Sequence, residues 1–406
     1  MKILTINTFY KFGSTGRIVY DLQKTHKEFG INSYVAYGDR TNNKDTKDTI
    51  CLQGYLRRKL NILKTRIFAC HGFYNITETK RLIKYMDKIK PDIIHLHNIH
   101  NHYVNVKMLF DYIKQHEIPV IWTLHDCWPF TGWCAYFDYA HCNKWKKGCH
   151  HCPSKHDYPF TWFFDKSENN YKKKKDVFSG VKNLTLVTPS QWLANLTRDS
   201  FLREYPVEVI NNGTDTEVFR PIDTDLKERL GIASKKMILA IAAKLAKRKG
   251  ADYLLEIPSK LNDDEILVML GLTNEQVKSL PKEKCIGITY TNSVQELAEY
   301  YSAADVFINP TLEDNFPTTN IESLACGTPI VTFKTGGSIE VIDDNTGFVV
   351  EQGNINTMLD SMRIILNKGK NYYRNYCRKK AVEMYENQKQ YLKYIDLYKR
   401  ILHEES

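Results

Sequence analysis

The chain has 406 residues, of which 42% are hydrophobic and 26% are charged, and its formal net charge is +10 at pH 7. This length exceeds what one ordinary hydrophobic core holds and suits two domains, and the composition excludes a disordered or fibrous protein. No apolar run approaches the roughly 18–20 residues that cross a bilayer, and the positive charge indicates an anionic partner.

The first ten residues, MKILTINTFY, are too short and polar for a signal peptide and predict a strand over Lys2–Asn7. We therefore expect a cytoplasmic protein. A loop containing Gly13 and Gly16 follows this strand and leads into a helix predicted over Arg17–Phe29. The glycines allow the backbone to approach a ligand closely, and the helix start offers N–H groups to a phosphate or sugar oxygen. An ordinary strand-to-helix turn explains the same residues.

Residues 55–68, YLRRKLNILKTRIF, alternate five cations with apolar residues. This pattern predicts a basic amphipathic helix that can rest on an anionic membrane surface. The alternative is a helix whose apolar face packs on its own domain. A second basic run, Lys172–Lys175, has no interleaved apolar residues and predicts a solvated helix face.

Continuous apolar runs predict buried parallel strands at Ile93–Leu96 and Val120–Leu124. His125 directly follows the second strand, where it can hydrogen-bond a substrate or transfer a proton, although a lone histidine is more often structural. Polar residues after the first strand can line the acceptor side of a ligand cleft or only solvate its rim. The candidates for the acceptor side are His97, Asn98 and His100.

Four cysteines lie within nineteen residues in the spacing C-x7-C-x6-C-x2-C, namely Cys134, Cys142, Cys149 and Cys152. Four thiolates this close in a cytoplasmic protein favour a structural zinc site over disulfides. His141, His150 or His151 can replace one sulfur ligand. Free thiols in a loop are the alternative.

A turn-rich segment, residues 211–221, precedes a second series of strands and helices. A strand predicted over Ile238–Ala243 runs into a basic loop with four cations in six positions, Lys244, Lys247, Arg248 and Lys249. These charges repel one another unless an anion binds there, and a diphosphate would satisfy them. A solvated basic loop is the alternative.

Residues 310–337, PTLEDNFPTTNIESLACGTPIVTFKTGG, place two carboxylates around a predicted helix. Asp314 lies in the loop after a buried strand, and Glu322 lies inside the helix predicted over Thr318–Cys326. A loop between a strand end and a helix start binds anions in open α/β sheets, and carboxylates beside such a site suit sugar hydroxyls. Complementation of the helix dipole explains Asp314 and Glu313 equally well.

Because buried strands and helices alternate in two series, we predict an α/β protein with two Rossmann-like domains facing a central cleft. We expect an N-terminal, acceptor-binding domain over residues 1–212 with a cysteine-rich insert at 126–156. We expect a C-terminal, donor-binding domain over residues 213–385. The final segment, 386–406, is predicted as a helix that packs back on the N-terminal domain.

Over nearly its full length the chain resembles family 4 of the retaining glycosyltransferases, which have the GT-B fold. The specific part is the acidic residue at 314, seven further residues, Glu322 and ACGTPIV, joined to TGG at 335–337 and NTGFVV at 345–350. The segment TLHDCWPFTGWC and the cysteines after it resemble the members that build exopolysaccharide or capsule.

The resemblance implies roles for single residues. Lys244 and Lys249 stand where the family has the basic pair that binds the donor diphosphate, although Lys244 replaces a more usual Arg. Glu322 would hold the ribose hydroxyls, Asp314 would contact the donor sugar, and His125 would lie near that sugar. Together His125, Asp314, Lys244 and Lys249 are the predicted catalytic residues. The other predicted donor-binding residues are Gly13, Gly16, Asn315, Phe316, Thr318 and Thr319.

Two departures from the family pattern affect the sugar site. Asp replaces the commoner Glu at 314, so that Glu313 competes for its role. Pro317 stands where Gly is frequent, and it has no N–H to donate to the sugar. Sugar choice therefore differs from better-known members, with Thr318, Thr319 and Asn320 as substitute donors.

The resemblance implies a retaining hexosyl- or N-acetylhexosaminyltransferase that uses a UDP- or GDP-linked sugar. The acceptor would be a glycan on a polyprenyl diphosphate, in bacterial exopolysaccharide, capsule or O-antigen biosynthesis at the inner face of the cytoplasmic membrane. No Asp-x-Asp motif stands beside a donor-site strand, which agrees with the absence of a catalytic metal. No nucleic-acid recognition motif accompanies the positive charge, so we expect no nucleic-acid partner.

Two other functions suit the same motifs. A nucleotide-sugar epimerase or hydrolase would turn over the donor without a glycan acceptor. A non-catalytic sugar-nucleotide-binding partner subunit would bind the nucleotide without transfer, and Lys244 and Pro317 are the departures that favour it.

Overall fold

The computed structural model of the protein describes residues 1–39 and 45–403. The chain forms two compact units. The first comprises Met1–Asn211 together with the residues from Tyr391 onward, and the second comprises Asn212–Gln390.

The first unit is built on a parallel sheet of seven strands in the order β3-β2-β1-β4-β5-β6-β7. The strands are β1 (Lys2–Asn7), β2 (Asn32–Tyr37), β3 (Thr49–Cys51), β4 (Ile93–Leu96), β5 (Val120–Thr123), β6 (Leu184–Thr188) and β7 (Val207–Val209). Its helices are α1 (Gly13–Glu28), α2 (Tyr55–Phe68), α3 (Ile76–Ile89), α4 (Val106–His116), α5 (Ser167–Phe178) and α6 (Gln191–Asp199). The strand order reverses direction between β1 and β4, and ligands of open α/β sheets bind at such a switch point.

The second unit has a parallel sheet of six strands in the order β10-β9-β8-β11-β12-β13. The strands are β8 (Lys236–Ile241), β9 (Glu265–Leu270), β10 (Cys285–Ile288), β11 (Val306–Asn309), β12 (Ile330–Phe333) and β13 (Gly347–Val350). Its helices are α7 (Leu226–Arg229), α8 (Ala251–Glu256), α9 (Asn274–Ser279), α10 (Val294–Ala303), α11 (Thr318–Ala325), α12 (Ile355–Lys368) and α13 (Lys370–Met384). The switch point of this sheet lies between β8 and β11.

In both sheets, helices connect most of the successive parallel strands, so the prediction of two Rossmann-like α/β domains is confirmed. The residues of β4, β5, β9 and β12 are all buried, as expected for parallel strands covered on both faces. Ser190 caps α6 by accepting a hydrogen bond from the Leu193 N–H, which fixes where that helix begins.

The last helix, α14 (Asn387–His403), passes from the second unit into the first. Tyr391, Tyr394 and Tyr398 are buried in an apolar cluster with residues of the first sheet, among them Ile3 and Ile121. The Tyr398 hydroxyl also lies 2.8 Å from His95 Nδ1. These contacts bury the tyrosine face of α14 beneath the sheet of the first unit.

Helix α2 does not pack its apolar face on its own domain, which was the alternative to a membrane-binding helix. It buries a polar face instead. Asn61 and Thr65 are its buried residues, whereas Leu56 and Leu60 are 75% and 56% exposed. Within residues 1–39 and 45–403, no helix is long and apolar enough to cross a membrane.

The solvated-face prediction for Lys172–Lys175 is wrong for Lys174. Its side chain is fully buried, its ammonium donates hydrogen bonds to the carbonyls of Trp128 (2.6 Å) and Thr131 (3.0 Å), and it lies 3.5 Å above the Trp128 ring. Burial lowers the pKa of Lys174 to about 7. A run of four lysines in a sequence does not reveal that one of the four side chains is buried.

Candidate functional site

In the second unit, the basic loop after β8 and the acidic loop after β11 lie together at the switch point of the sheet. The Arg248 carbonyl accepts hydrogen bonds from the N–H groups of Leu312 (2.9 Å) and Glu313 (3.2 Å). Gly250 has φ +82°, and a Cβ at this position would lie 2.1 Å from the Pro310 carbonyl oxygen. Only glycine permits this close approach, so Gly250 fixes one loop against the other.

The two loops bring a predicted cation and a predicted carboxylate into contact. Lys249 Nζ forms an ion pair with Asp314 Oδ2, and both side chains are largely buried. Lys244 is exposed, and its ammonium has no ion pair with any residue that the structure describes. Its backbone is held by a hydrogen bond from its N–H to the Gly271 carbonyl at 2.7 Å. One lysine of the predicted diphosphate pair is thus available to an anion, and the other is engaged with Asp314.

Helix α11 begins at Thr318, directly after Pro317, and its first residues Thr318 and Thr319 are partly exposed. The Asn320 side chain accepts a hydrogen bond from Asn309 Nδ2 (2.8 Å) and donates one to the Ser338 carbonyl (3.1 Å). These bonds fix the first turn of α11 to the end of β11. The first N–H groups of a helix lack helical acceptors, so this turn can bind an anion.

Glu322 lies on α11 and is oriented by a neighbouring helix. The Tyr301 hydroxyl on α10 donates a hydrogen bond to Glu322 Oε2 at 3.1 Å. Tyr301 is fully buried, and burial together with the Glu322 charge raises its pKa well above the ordinary value. Tyr301 therefore stays protonated and acts as a fixed donor to the carboxylate.

Two of the predicted donor-binding residues, Asn315 and Phe316, expose almost none of their side chains to solvent. Phe316 belongs to the hydrophobic core of the second unit, where its ring packs 5.8 Å from that of Tyr385. Asn315 is also buried. A donor could reach only the main chain of Phe316, whose carbonyl already accepts a hydrogen bond from Asn212 Nδ2 at 3.1 Å.

In the first unit, the predicted glycine loop lies at the end of β1. Helix α1 begins at Gly13 and not at Arg17 as predicted, so both glycines belong to its first turn. A Cβ at Gly16 would lie 3.0 Å from Phe9 Cβ, which shows that Gly16 lets α1 pack closely on the chain after β1. Gly13 has φ +65°, a backbone conformation that favours glycine.

His125 follows β5, and its ring Nε2 lies 2.9 Å from His97 Nδ1. Burial lowers the pKa of His125 to about 4, although the Asp126 charge acts in the opposite direction. His125 is therefore neutral near pH 7 and can donate or accept a hydrogen bond without carrying a charge.

The predicted acceptor-side residues differ in burial. His97 and His100 are buried, and His100 Nε2 lies 2.9 Å from Asp126 Oδ2. Asn98 is partly exposed, and its carbonyl accepts a hydrogen bond from the Tyr103 hydroxyl at 2.8 Å. The acceptor-side role of the three residues stays a prediction, and His97 contacts His125.

The cysteine-rich insert holds free thiols. Cys149 Sγ accepts a hydrogen bond from the Gly132 N–H at 3.1 Å, and the interaction between the Cys134 and Cys152 thiols raises the pKa of Cys134 and lowers the pKa of Cys152. In the part of the chain that the structure describes, no group of three His, Cys, Asp or Glu side chains is placed to hold a metal ion. The zinc site predicted for Cys134, Cys142, Cys149 and Cys152 gains no support and stays a prediction.

Sequence reasoning missed two features of the site. Tyr301 lies twenty-one residues from Glu322 in the chain, and no local pattern joins the two. A pocket at the ends of β1 and β4, lined partly by α2 and by Tyr158–Phe160, was also missed. The aromatic run YPFTWFF at 158–164 was the signal that could have indicated it.

Comparison with known families and structures gives a consistent result for both units. Residues 15–218 match the family described as Glycosyltransferase Family 4, and residues 223–390 match Glycosyl transferases group 1. A curated relative from Escherichia coli K12, the putative colanic acid biosynthesis glycosyl transferase WcaC, is 24% identical over 378 residues, which cover 87% of this chain and 88% of the relative.

Solved structures with the same fold cover nearly the whole chain. Sucrose-phosphate synthase from Thermosynechococcus elongatus superposes with a TM-score of 0.74 at 16% identity, covering 99% of this chain and 100% of that one. HepE from Anabaena, solved in complex with UDP-glucose, has a TM-score of 0.67 at 15% identity, covering 98% and 100% of the two chains. These likenesses show the GT-B fold.

Proposed function

Because the chain belongs to glycosyltransferase family 4, we propose that it is a retaining enzyme that transfers a sugar from a nucleoside diphosphate to a glycan hydroxyl. One observation carries this proposal. Lys244, Lys249, Asp314 and the first turn of α11 lie together at the switch point between β8 and β11, with Glu322 further along the same helix. A diphosphate, a ribose and a sugar are the ligand groups that this set of cations, amides and carboxylates fits.

The transfer requires that negative charge on the leaving diphosphate be stabilised. Lys244, Lys249 and the N–H groups of the first turn of α11 supply fixed positive charge for this purpose. The bond between the sugar anomeric carbon and the diphosphate oxygen breaks while the acceptor oxygen bonds to the same face of that carbon. The acceptor proton passes to the departing phosphate oxygen, so that no carboxylate nucleophile is needed.

Glu322 and Asp314 are assigned to the neutral parts of the donor. Glu322, held by Tyr301, would accept hydrogen bonds from the ribose hydroxyls. Asp314, in the loop that leads from β11 into α11, would accept hydrogen bonds from the donor sugar. His125 is neutral near pH 7, so its proposed role near the donor sugar is that of a hydrogen-bonding group.

The relatives support the choice of substrate class. WcaC is named for colanic acid biosynthesis, and HepE was solved with UDP-glucose. We therefore propose a role in bacterial polysaccharide biosynthesis with a UDP-linked sugar as donor, and GDP as the alternative nucleotide.

We also propose that the acceptor is carried on a lipid and that the enzyme binds an anionic membrane surface through α2. The exposed leucines of α2 lie among exposed cations such as Lys59 and Lys64, and this combination is typical of helices that lie in the membrane interface. The charge of the helix complements anionic phospholipids.

The donor site is tested by thermal unfolding in the presence of UDP, GDP and a panel of nucleotide sugars. A nucleotide at about 100 times its Kd stabilises the folded protein by about 2.7 kcal/mol, and we expect this stabilisation from UDP. Glu322→Ala should lose most of it. Glu383→Ala, which removes an exposed carboxylate that pairs with Lys379 on α13, is the matched control and should keep it.

Absence of stabilisation by every nucleotide would overturn the proposed donor site. Where a nucleotide sugar binds, the released nucleotide is measured with and without a glycan acceptor. Release that does not depend on the acceptor would indicate a hydrolase, and conversion of the sugar on a donor that keeps its nucleotide would indicate an epimerase. Binding with neither release nor conversion under any condition would indicate a non-catalytic partner subunit.

A further inference from the structure

A pocket of about 190 Å³ opens in the first unit at the carboxyl ends of β1 and β4, the switch point of that sheet. It is lined by Thr8, Phe9, Arg58, Ile62, Arg66, Asn101, His102, Tyr158, Pro159 and Phe160. Pockets that enclose a whole drug-sized ligand begin at about 300 Å³, so this one suits a compact head group and not a whole glycan.

The charge of the pocket is positive. Two of its ten lining residues are arginines and none is acidic. Arg58 forms an ion pair with the buried Asp39 at 2.9 Å. Arg66 has no carboxylate partner among the residues that the structure describes, and its guanidinium lies 5.9 Å from the Phe160 ring centroid and 5.8 Å from that of Trp162. A guanidinium held by aromatic rings keeps its N–H donors for a phosphate.

The aromatic wall comes from residues 158–164, which we call the aromatic loop. The Trp162 N–H and the Thr161 hydroxyl both donate hydrogen bonds to the Arg66 carbonyl, at 2.8 and 3.1 Å. Thr161 is buried, and the Tyr158 hydroxyl lies 3.1 Å from His100 Nδ1. The loop is therefore anchored to the C-terminal turn of α2, and the pocket between them is a defined cavity.

Beyond this pocket the aromatic loop exposes apolar rings. Phe163 is 66% exposed and Phe164 is also exposed, whereas the exposed Leu60 of α2 lines a different cavity with Asn61 and Lys64. Exposed aromatic residues beside a cation such as Arg66 are typical of surfaces that sit at the boundary between lipid head groups and acyl chains. A ligand with a phosphate in the pocket can continue as a hydrocarbon chain over this surface.

We propose that the pocket binds the phosphate of a polyprenyl-phosphate lipid, with Arg66 as the principal phosphate donor and the aromatic loop against the first part of the lipid chain. This inference rests on the proposed function, for which it names the lipid carrier of the acceptor. The same chemistry is present in bulk anionic phospholipids, and the experiment separates the two sources.

Binding of the full chain is measured by co-sedimentation with three kinds of vesicle: phosphatidylcholine alone, phosphatidylcholine with undecaprenyl phosphate, and phosphatidylcholine with phosphatidylglycerol at the same charge density. We expect tighter binding to the undecaprenyl phosphate vesicles than to the phosphatidylglycerol vesicles. Arg66→Gln should remove this preference by weakening binding to undecaprenyl phosphate about tenfold, the value of one charged hydrogen bond.

Two further variants make the result specific. Lys88→Gln removes an exposed cation on α3 that does not line the pocket, and it should leave the preference intact. Arg66→Lys keeps the charge without the forked donor group and should retain part of the preference. Because Arg66 is an exposed side chain, circular dichroism of both variants should match the wild type.

Equal binding to the two anionic vesicles, or equal losses in Arg66→Gln and Lys88→Gln, would overturn the proposed lipid-phosphate pocket and leave only general attraction to negative membranes. The UDP-dependent thermal shift of the wild type is measured separately. A protein that shows the lipid preference without any nucleotide shift would keep the pocket and lose the proposed donor site.

Discussion

Asp314 and Lys249 form an ion pair at the place where the donor diphosphate is proposed to bind. Asp314→Asn removes a negative charge from this site and releases the ammonium, so UDP should bind several-fold more tightly. Sugar transfer should nevertheless slow by about tenfold, since a hydrogen bond to the donor sugar is weakened. Calorimetric titration with UDP and turnover measurements separate the two effects.

Glu313→Gln is the matched comparison for Asp314→Asn. If Glu313 and not Asp314 contacts the donor sugar, the loss of turnover will follow Glu313→Gln, and Asp314→Asn will change only nucleotide affinity.

Tyr301 is a positioning residue, because its hydroxyl reaches Glu322 and not the proposed ligand space. Tyr301→Phe removes about 1 kcal/mol of hydrogen bonding and should weaken UDP binding by about fivefold, less than Glu322→Ala does. The phenyl ring keeps the packing against Phe219 and Phe307, so the thermal midpoint without nucleotide should change little. A loss of stability without any loss of affinity would show that the hydroxyl serves only the fold.

Helix α2 exposes its leucines, so substitutions there test membrane binding without disturbing the core. The double variant Leu56→Ser, Leu60→Ser should lower partition to phosphatidylglycerol vesicles by at least tenfold, because burying one leucine side chain in lipid is worth about 1.5–3 kcal/mol. The melting temperature should stay within a degree or two, since both side chains are exposed. Unchanged partition would contradict the proposed role of α2.

Sequence periodicity located the elements well, because buried parallel strands are continuous apolar runs. The bounds of Lys2–Asn7, Ile93–Leu96 and the helix over 55–68 agree with the structure. The predicted start of helix α1 was four residues too late, because its first turn, Gly13–Gly16, shows no apolar periodicity that could be recognised in the sequence. Periodicity in α2 showed that the helix is amphipathic but not which face packs, since that depends on Thr65 meeting His102 across the fold.

The candidate site could be predicted only in part from the sequence, because some of its contacts join segments that are distant in the chain. The loops that carry Lys249 and Asp314 could be recognised from the sequence, because clusters of charged residues stand directly after the apolar runs of buried strands. The pairing of these two side chains, the bond from Tyr301 to Glu322 and the pocket wall at Phe160 arise from tertiary contacts between distant segments.

At the scale of the whole molecule, the two units differ in their titratable groups. All thirteen histidines lie outside residues 212–390, so the second unit has none. In the first unit, burial lowers the pKa of His26 to about 3 and those of His102 and His125 to about 4. Burial also places the pKa values of His71, His95 and His97 well below the ordinary value.

These histidines make the first unit sensitive to acid. Above about pH 6.5 they are neutral in both the folded and unfolded states and contribute no pH dependence. Between about pH 6.5 and about pH 4 the unfolded chain binds protons that the folded unit excludes. The free energy of unfolding therefore falls with decreasing pH, by up to about 1.4 kcal/mol per pH unit for each histidine. The second unit should keep its stability over the same range.

Tryptophan fluorescence can follow the first unit alone, because all six tryptophans lie between residues 122 and 192. We expect the fluorescence melting midpoint to drop steeply from about pH 7 to about pH 5. Far-ultraviolet circular dichroism, which reports both units, should then show a second transition that moves much less. Because the histidines are the groups that titrate in this interval, parallel shifts of the two transitions would mean that the units unfold together or that the buried histidines accept protons while folded.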